Sequence, residues 1–422
     1  MSVLSPRDTN EGHRVATPLE LLVDLAFVVA VAQASTSFQH LATDGHPGAA
    51  LGYFMTAFFA IWWAWMNFTW FASAYDNDDV VYRLATFVQI IGVLILAAGV
   101  PRAFKGADLG VLTVGYVVMR LAMILQWLRA ARSEPPRRPT ALRYAAGITV
   151  AQAGWIGRLW LPNGLTFVSI GVLIILELSI PIWAESVGRT TWHPNHIAER
   201  YGGFTIIVLG ESVLSATIGV QRALDGSNSI GDITTAIAGG LLILFAMWWL
   251  YFSVPGELAT ARARVSFEDS TKLAFLWGYG HYFVFACAAL TGAGLAAAID
   301  QIPNHPNGAP LSTALAVTVP AAVYVIVLWA LHLRWNSASF LNSIAPPVAA
   351  TVIAATSFTP EPILLTGITL TCLVTIGTIG LGNAHRADRS DRNDGHADQS
   401  GDAPSSEPRG QRVDRRRPGA QG

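Results

Sequence analysis

Seven ionisable side chains stand in stretches that are otherwise too apolar to suit them. Glu20 and Asp24 lie in "PLELLVDLAFVVAVAQ", Arg120 in "VVMRLAMILQ", Glu177 in "IILELSIP", Glu199 and Glu211 in "HIAERYGGFTIIVLGESVL", and His281 in "WGYGHYFVF". A carboxylate in such surroundings either takes up a proton or a cation, or pairs with a basic group to fix one helix against another. Glu20 and Asp24 are four positions apart, which places them on one helical face. Like charges at that spacing repel mildly, so a cationic partner or a proton is expected there, and Arg83 is one basic candidate. Glu211 follows Glu199 by about 18 Å and about 120° of helical rotation. The two therefore serve different layers, and Ser215 shares the face of Glu211. Asp24, Glu177, Glu211, Arg120 and His281 sit too deep to snorkel and are assigned to substrate or ion binding, with Arg120 suited to an anionic group. Glu20, Arg83, Glu199 and Arg200 are assigned to structural ion pairs, Glu199 fixing its helix through a neighbouring arginine.

The elements that carry these residues are set by composition. The 422 residues are 52% hydrophobic and only 13% charged, about half the charged fraction of a soluble domain, with mean hydropathy +0.43. Residues 45–75 hold no ionisable residue of Asp, Glu, Lys, Arg or His type except His46, a run long enough to cross a bilayer at about 1.5 Å per residue. The chain reads as an all-α, polytopic integral membrane bundle of about twelve spans: 18–38, 49–72, 82–101, 108–131, 141–161, 164–185, 196–220, 232–254, 271–298, 310–334, 339–358 and 361–383. "LPNG" and "SFTPEP" make tight turns, and Pro346 and Pro347 are expected to kink or break the eleventh span. With both termini in the cytoplasm, 22 of the 27 basic residues fall inside and only Arg102, Lys105, Arg158 and Arg222 outside, as the positive-inside rule requires. The polar first 17 residues do not resemble a cleavable signal peptide. The tail 384–422 is expected to be disordered and cytoplasmic.

Two halves of six spans, 18–186 and 196–383, are suggested by internal similarity. "ELLVDLAFVVAVAQAS" from Glu20 parallels "ERYGGFTIIVLGESVL" from Glu199, and "FFAIWWAWMNF" parallels "LLILFAMWWLYF". An even number of spans per half makes this a parallel repeat, as in some transporters. Cys287 and Cys372 both lie in hydrophobic segments, so neither a disulfide framework nor a metal cluster is expected. "YDNDDVV" lacks the glycine and terminal glutamate of a calcium loop. No nucleotide, zinc or nucleophile motif is present. No catalytic residue, cofactor, metal or nucleic-acid partner is assigned; the expected partners are the lipid bilayer and a small-molecule or ion substrate.

"PLELLVDLAFVVAVAQ", "YDNDDVVYRLATFVQIIGVLILAAGVPRAF" and "HIAERYGGFTIIVLGESVL" together resemble the bacterial low temperature requirement protein A family over about 18–383. The resemblance marks Glu20, Asp24, Asp78, Asp79, Arg83, Glu199, Arg200 and Glu211. It implies a multi-pass protein of the bacterial inner membrane, and brings no substrate or reaction with it. Twelve spans, a repeat and buried carboxylates favour a secondary transporter or permease, proton- or cation-coupled. The alternatives are a cation channel and a membrane enzyme or lipid-modifying protein.

Overall fold

Thr17 and Glu20 start the first helix by capping each other. Thr17 Oγ1 accepts from the Glu20 N–H at 3.3 Å, and Glu20 Oε2 accepts from the Thr17 N–H at 2.7 Å, while Pro18 fills the first turn. The structure is a computed structural model that describes residues 15–106, 108–226, 230–253, 271–301, 310–333 and 340–379. Among them are twelve α-helices and no strand: α1 Pro18–Thr43, α2 Pro47–Tyr75, α3 Val80–Gly106, α4 Gly110–Ser133, α5 Arg138–Arg158, α6 Thr166–Glu185, α7 Pro194–Gly226, α8 Ile230–Phe252, α9 Thr271–Gln301, α10 Leu311–Leu328, α11 Phe340–Thr356 and α12 Pro362–Ile379. Five of these helices carry a proline in the first turn, where its missing N–H has no intrahelical acceptor in any case.

Ten of the helices are long and apolar enough to cross a membrane. The other two are α5, which carries Arg138, Arg143 and Arg158, and α11, whose apolar part is shorter, Ser343–Thr356. The break expected at Pro346 and Pro347 is absent, since α11 continues through both. Membrane helices tolerate such prolines because neighbouring groups satisfy the carbonyls they release. The tail 384–422 lies outside the described residues.

A hydrophobic core is present, but several charges lie inside it and many large apolar side chains lie outside. Glu20, Asp24, Arg120, Glu177, Arg200, Glu211 and His281 are buried, while Phe167, Val168, Ile175 and Phe245 face outward. That distribution suits a lipid solvent, into which a charge transfers poorly and an aliphatic side chain does not. The innermost helix is α9, 89% buried over its apolar window against 33% for α6 and α12. It packs against α7, α10 and α1, while α3 packs most extensively on α4, and α1 against α2, α3 and α7. Small residues permit the closest approaches. A Cβ on Gly99 would stand 2.4 Å from Leu112 N, one on Gly115 2.3 Å from Leu96 N, and one on Gly294 2.3 Å from Ala316 O.

Candidate functional site

Helices α1 and α7 meet along a seam of polar contacts in constant register. His196 Nε2 lies 3.2 Å from Glu20 Oε1, Arg200 Nη2 donates to Asp24 Oδ1 at 2.6 Å, and Ser35 Oγ donates to Glu211 Oε2 at 3.3 Å. Each pair is 176 positions apart, so the two helices run parallel. At about 100° per residue, His196, Arg200 and Glu211 occupy an arc of about 60° facing α1.

Asp24 and Arg200 form an ion pair in which both residues are 1% exposed. The indole of Trp65 on α2 adds a second donor to Asp24 Oδ1, at 2.7 Å, and stacks on Phe204 of α7 at 4.2 Å. Arg200 Nε and Nη1 and His196 Nδ1 are buried without a hydrogen-bond partner among the described residues. Arg83 does not serve Asp24. It pairs with Asp78 at 2.6 Å on the surface, both side chains 54% exposed, and its hydrogen bonds hold the Asp78 carboxyl below the usual carboxylate range. Asp78 itself sits at a φ of 50°, a left-handed conformation in the turn that leads into α3. Glu199 accepts from the N–H of Ala16 at 3.1 Å, and Arg200 turns to Asp24 instead, because adjacent helical residues point about 100° apart.

Glu211, 6% exposed, meets hydroxyls only. Ser215 Oγ donates to Oε1 at 2.6 Å and Ser35 Oγ to Oε2, and among the described residues no Lys, Arg or His ion-pairs with it. Behind it, Ser212 packs so closely on α9 that a Cβ on Gly292 would stand 2.4 Å from the Ser212 side chain. Glu211 thus bridges α1 and α7 on a helix held firmly against α9.

Glu177 has the opposite environment. Its carboxylate accepts from Arg120 Nη2 at 2.8 Å, the Tyr116 hydroxyl at 2.8 Å, Trp63 Nε1 at 2.9 Å, Gln152 Nε2 at 3.2 Å and Trp155 Nε1 at 3.3 Å. A carboxylate offers about four lone-pair sites, so this one is saturated by donors from α2, α4 and α5. Arg120 keeps Nε and Nη1 without a hydrogen-bond partner among the described residues and lies over the Tyr116 ring, 5.6 Å from its centroid. His281 is apart from both centres, boxed by Trp277, Tyr201 and Phe285 at ring distances of 4.1, 5.0 and 5.6 Å. Its Nδ1 is 2.8 Å from Trp277 O, which fixes that nitrogen as the donor, since a carbonyl only accepts.

The structure therefore brings Glu20, Asp24, Arg200 and Glu211 onto one seam, joins Arg120 to Glu177 elsewhere, and leaves Arg83 on the surface. Sequence reasoning passed over His196, Ser35, Tyr116, Gln152 and Trp155. His196 had a usable signal: it precedes Arg200 by one turn, as Glu20 precedes Asp24. Glu20 also carried one, as the glutamate of a Thr17-x-x-Glu20 capping box. A membrane tryptophan reads first as an interfacial anchor, but the mid-span position of residues 62–65 already says that some of those indoles face protein, as Trp63 and Trp65 do.

A bundle of long apolar helices with charges inside and aliphatic side chains outside is a polytopic membrane protein. Residues 15–377 match the bacterial low temperature requirement A protein family (LtrA), and the chain belongs to that family. It is also 28% identical over 303 residues to an uncharacterized protein of Rhizobium meliloti, covering 68% of this chain and 70% of that one.

Proposed function

We propose that this protein is a secondary transporter of the bacterial inner membrane, that it moves a small solute, and that Glu211 takes up the coupling proton or cation. Glu211 carries the reading. A carboxylate buried in a spanning helix with only two hydroxyls for company is stable when it holds a proton or a small cation, and costly when it holds neither. Asp24 and Glu177, by contrast, already have guanidinium partners. Asp24–Arg200 ties the two halves together at one end of the α1–α7 seam. Arg120–Glu177 holds the first half together.

The packing supports a six-plus-six repeat. α1 lies on α3 as α7 lies on α9, α3 on α4 as α9 on α10, and α4 on α5 as α10 on α11. The constant register of α1 and α7 further supports a parallel repeat, since six crossings return the chain to its starting side. In this reading both termini are cytoplasmic, and the Asp24–Arg200 end of the seam faces the cytoplasm.

The test uses purified protein in liposomes with an imposed pH or sodium gradient and a panel of radiolabelled amino acids, sugars, organic acids and amines. At least one solute should accumulate, and Glu211→Gln should abolish gradient-driven accumulation without lowering the yield of folded protein. No accumulation under either gradient would overturn the carrier reading. Undiminished accumulation by the Gln variant would remove Glu211 from the coupling role.

A further inference from the structure

We infer that the ties at the N-terminal ends of α1 and α7 form a gate that closes the approach to Glu211 from that side, with Asp24–Arg200 as its innermost bar. This rests on the carrier reading for its purpose, and on the geometry of the seam for its existence.

The ties between α1 and α7 are unevenly distributed. Ala16–Glu199, Glu20–His196 and Asp24–Arg200 are crowded into the first turns of the two helices, and only Ser35–Glu211 joins them further along. Asp24 and Ser35 are separated by about 16 Å of helix. Across that interval the buried side chains of α1 are Ala26, Phe27, Ala30, Val31 and Ala34, and α7 contributes Tyr201, Phe204, Val208 and Leu209 with Thr205. The Thr205 hydroxyl donates to Tyr201 O at 2.9 Å and meets the Tyr251 hydroxyl of α8, not α1. Among the described residues polar contact between α1 and α7 thus lapses beyond the ion pair until Ser35 and Glu211, and the Trp65–Phe204 stack lies directly against the pair. Water approaching Glu211 from the helix N-termini would meet three polar ties, then an aromatic plug, then an apolar interval.

The same ties are not fully satisfied when closed. Arg200 Nε and Nη1, which only donate, and His196 Nδ1, which accepts when the ring is neutral, have no hydrogen-bond partner among the described residues, in side chains that are buried. A buried polar atom without a partner disfavours the state that buries it. Opening the seam to water would hydrate these three atoms and both charges, so the loss of Asp24–Arg200 contact is partly compensated. An ion pair that opposes its own desolvation suits a gate better than a permanent clamp. The Glu177 site shares the unpartnered arginine nitrogens, at Arg120 Nε and Nη1, but differs in its carboxylate, which five donors saturate.

The helix that carries Arg200 is anchored further along. Beyond Thr205, α7 is pressed on α9 at two places: Ser212 against Gly292, and Gly219 against Ala296, where a Cβ on Gly219 would lie 3.0 Å from the Ala296 carbonyl oxygen. Nearer the gate the α7–α9 contact is made by rings instead, Tyr201 on Trp277 at 4.9 Å and Phe204 on Phe285 at 5.1 Å.

The gate is tested by water access to the position of Ser35, beside Glu211. With Cys287→Ala and Cys372→Ala removing the native thiols, Ser35→Cys places one thiol at the seam. Its reaction with a membrane-impermeant methanethiosulfonate reagent is timed in vesicles exposing either face. With the gate intact, reaction from the face bearing the helix N-termini should be slow. Arg200→Gln should accelerate it from that face by at least tenfold and leave the rate from the other face unchanged. Asp24→Asn, which keeps an acceptor for Trp65, is the second variant should Arg200→Gln fail to accumulate, and the same acceleration is expected. An unchanged rate in the folded variant, or equal acceleration from both faces, would overturn the gate. The readout needs no substrate, so a failure to find a transported solute would count against the carrier reading alone.

Discussion

Glu177 and Glu211 are both buried glutamates in apolar helices, yet their surroundings assign them different work. Glu177 holds three helices to its own through five donors. Removing its charge strands the Arg120 guanidinium, and breaking a buried pair from one side typically costs about 3–5 kcal/mol. Glu177→Gln should therefore lower the unfolding temperature in detergent strongly, while Tyr116→Phe, which deletes one donor of five, should cost about 1 kcal/mol. The paired change Arg120→Met with Glu177→Leu should be milder than Glu177→Gln alone. Equal effects of Glu177→Gln and Tyr116→Phe would show that the carboxylate is not the keystone. The sequence located every one of these charges, because a glutamate or arginine in an apolar run is conspicuous. It did not disclose their partners. Asp24 finds Arg200 from 176 positions away, and only the register of two helices distant in sequence determines that pairing.

At the scale of the helix, glycines rather than charges fix the closest packing. Gly115 of α4 stands against the backbone of α3 so closely that a Cβ would sit 2.3 Å from Leu96 N. Backbone cannot rotate away as a side chain can, so Gly115→Ala should separate α3 from α4 at a cost of about 1–3 kcal/mol. Gly171→Ala on α6, with nothing within 4 Å, should leave the melting temperature in detergent at or slightly above the parent value. The reverse order would contradict this packing. The helix positions themselves were largely legible, because runs of apolar residues bounded by proline and glycine mark spans directly. Two features were not. α1 continues to Thr43, beyond the expected end at 38, through the polar Gln39 and His40, since helix propensity carries on where hydropathy stops. α11 likewise runs through Pro346 and Pro347.

For the whole molecule, direction is the property that connects the fold to the proposed transport. α1 and α7 are parallel over about 22 Å of shared contacts, so the chain between them must reverse an even number of times. Counting α5 as a crossing, despite its three arginines, satisfies that parity. Leaving it out would place α7 antiparallel to α1 and separate Asp24 from Arg200. The arginines of α5 are compatible with a crossing because they stand at its two ends: Arg138 and Arg143 near one, and Arg158 at the other, where Nη2 donates to Thr166 Oγ1 at 2.9 Å. Positive charge gathers at the end of α5 that the positive-inside rule assigns to the cytoplasm. Alkaline phosphatase fused within the 159–165 turn should consequently be active in the periplasm, and the same enzyme fused after residue 383 inactive. Activity after residue 383 would make the span count odd. Inactivity in the 159–165 turn would remove α5 from the membrane and, with it, the parity that lets Arg200 meet Asp24.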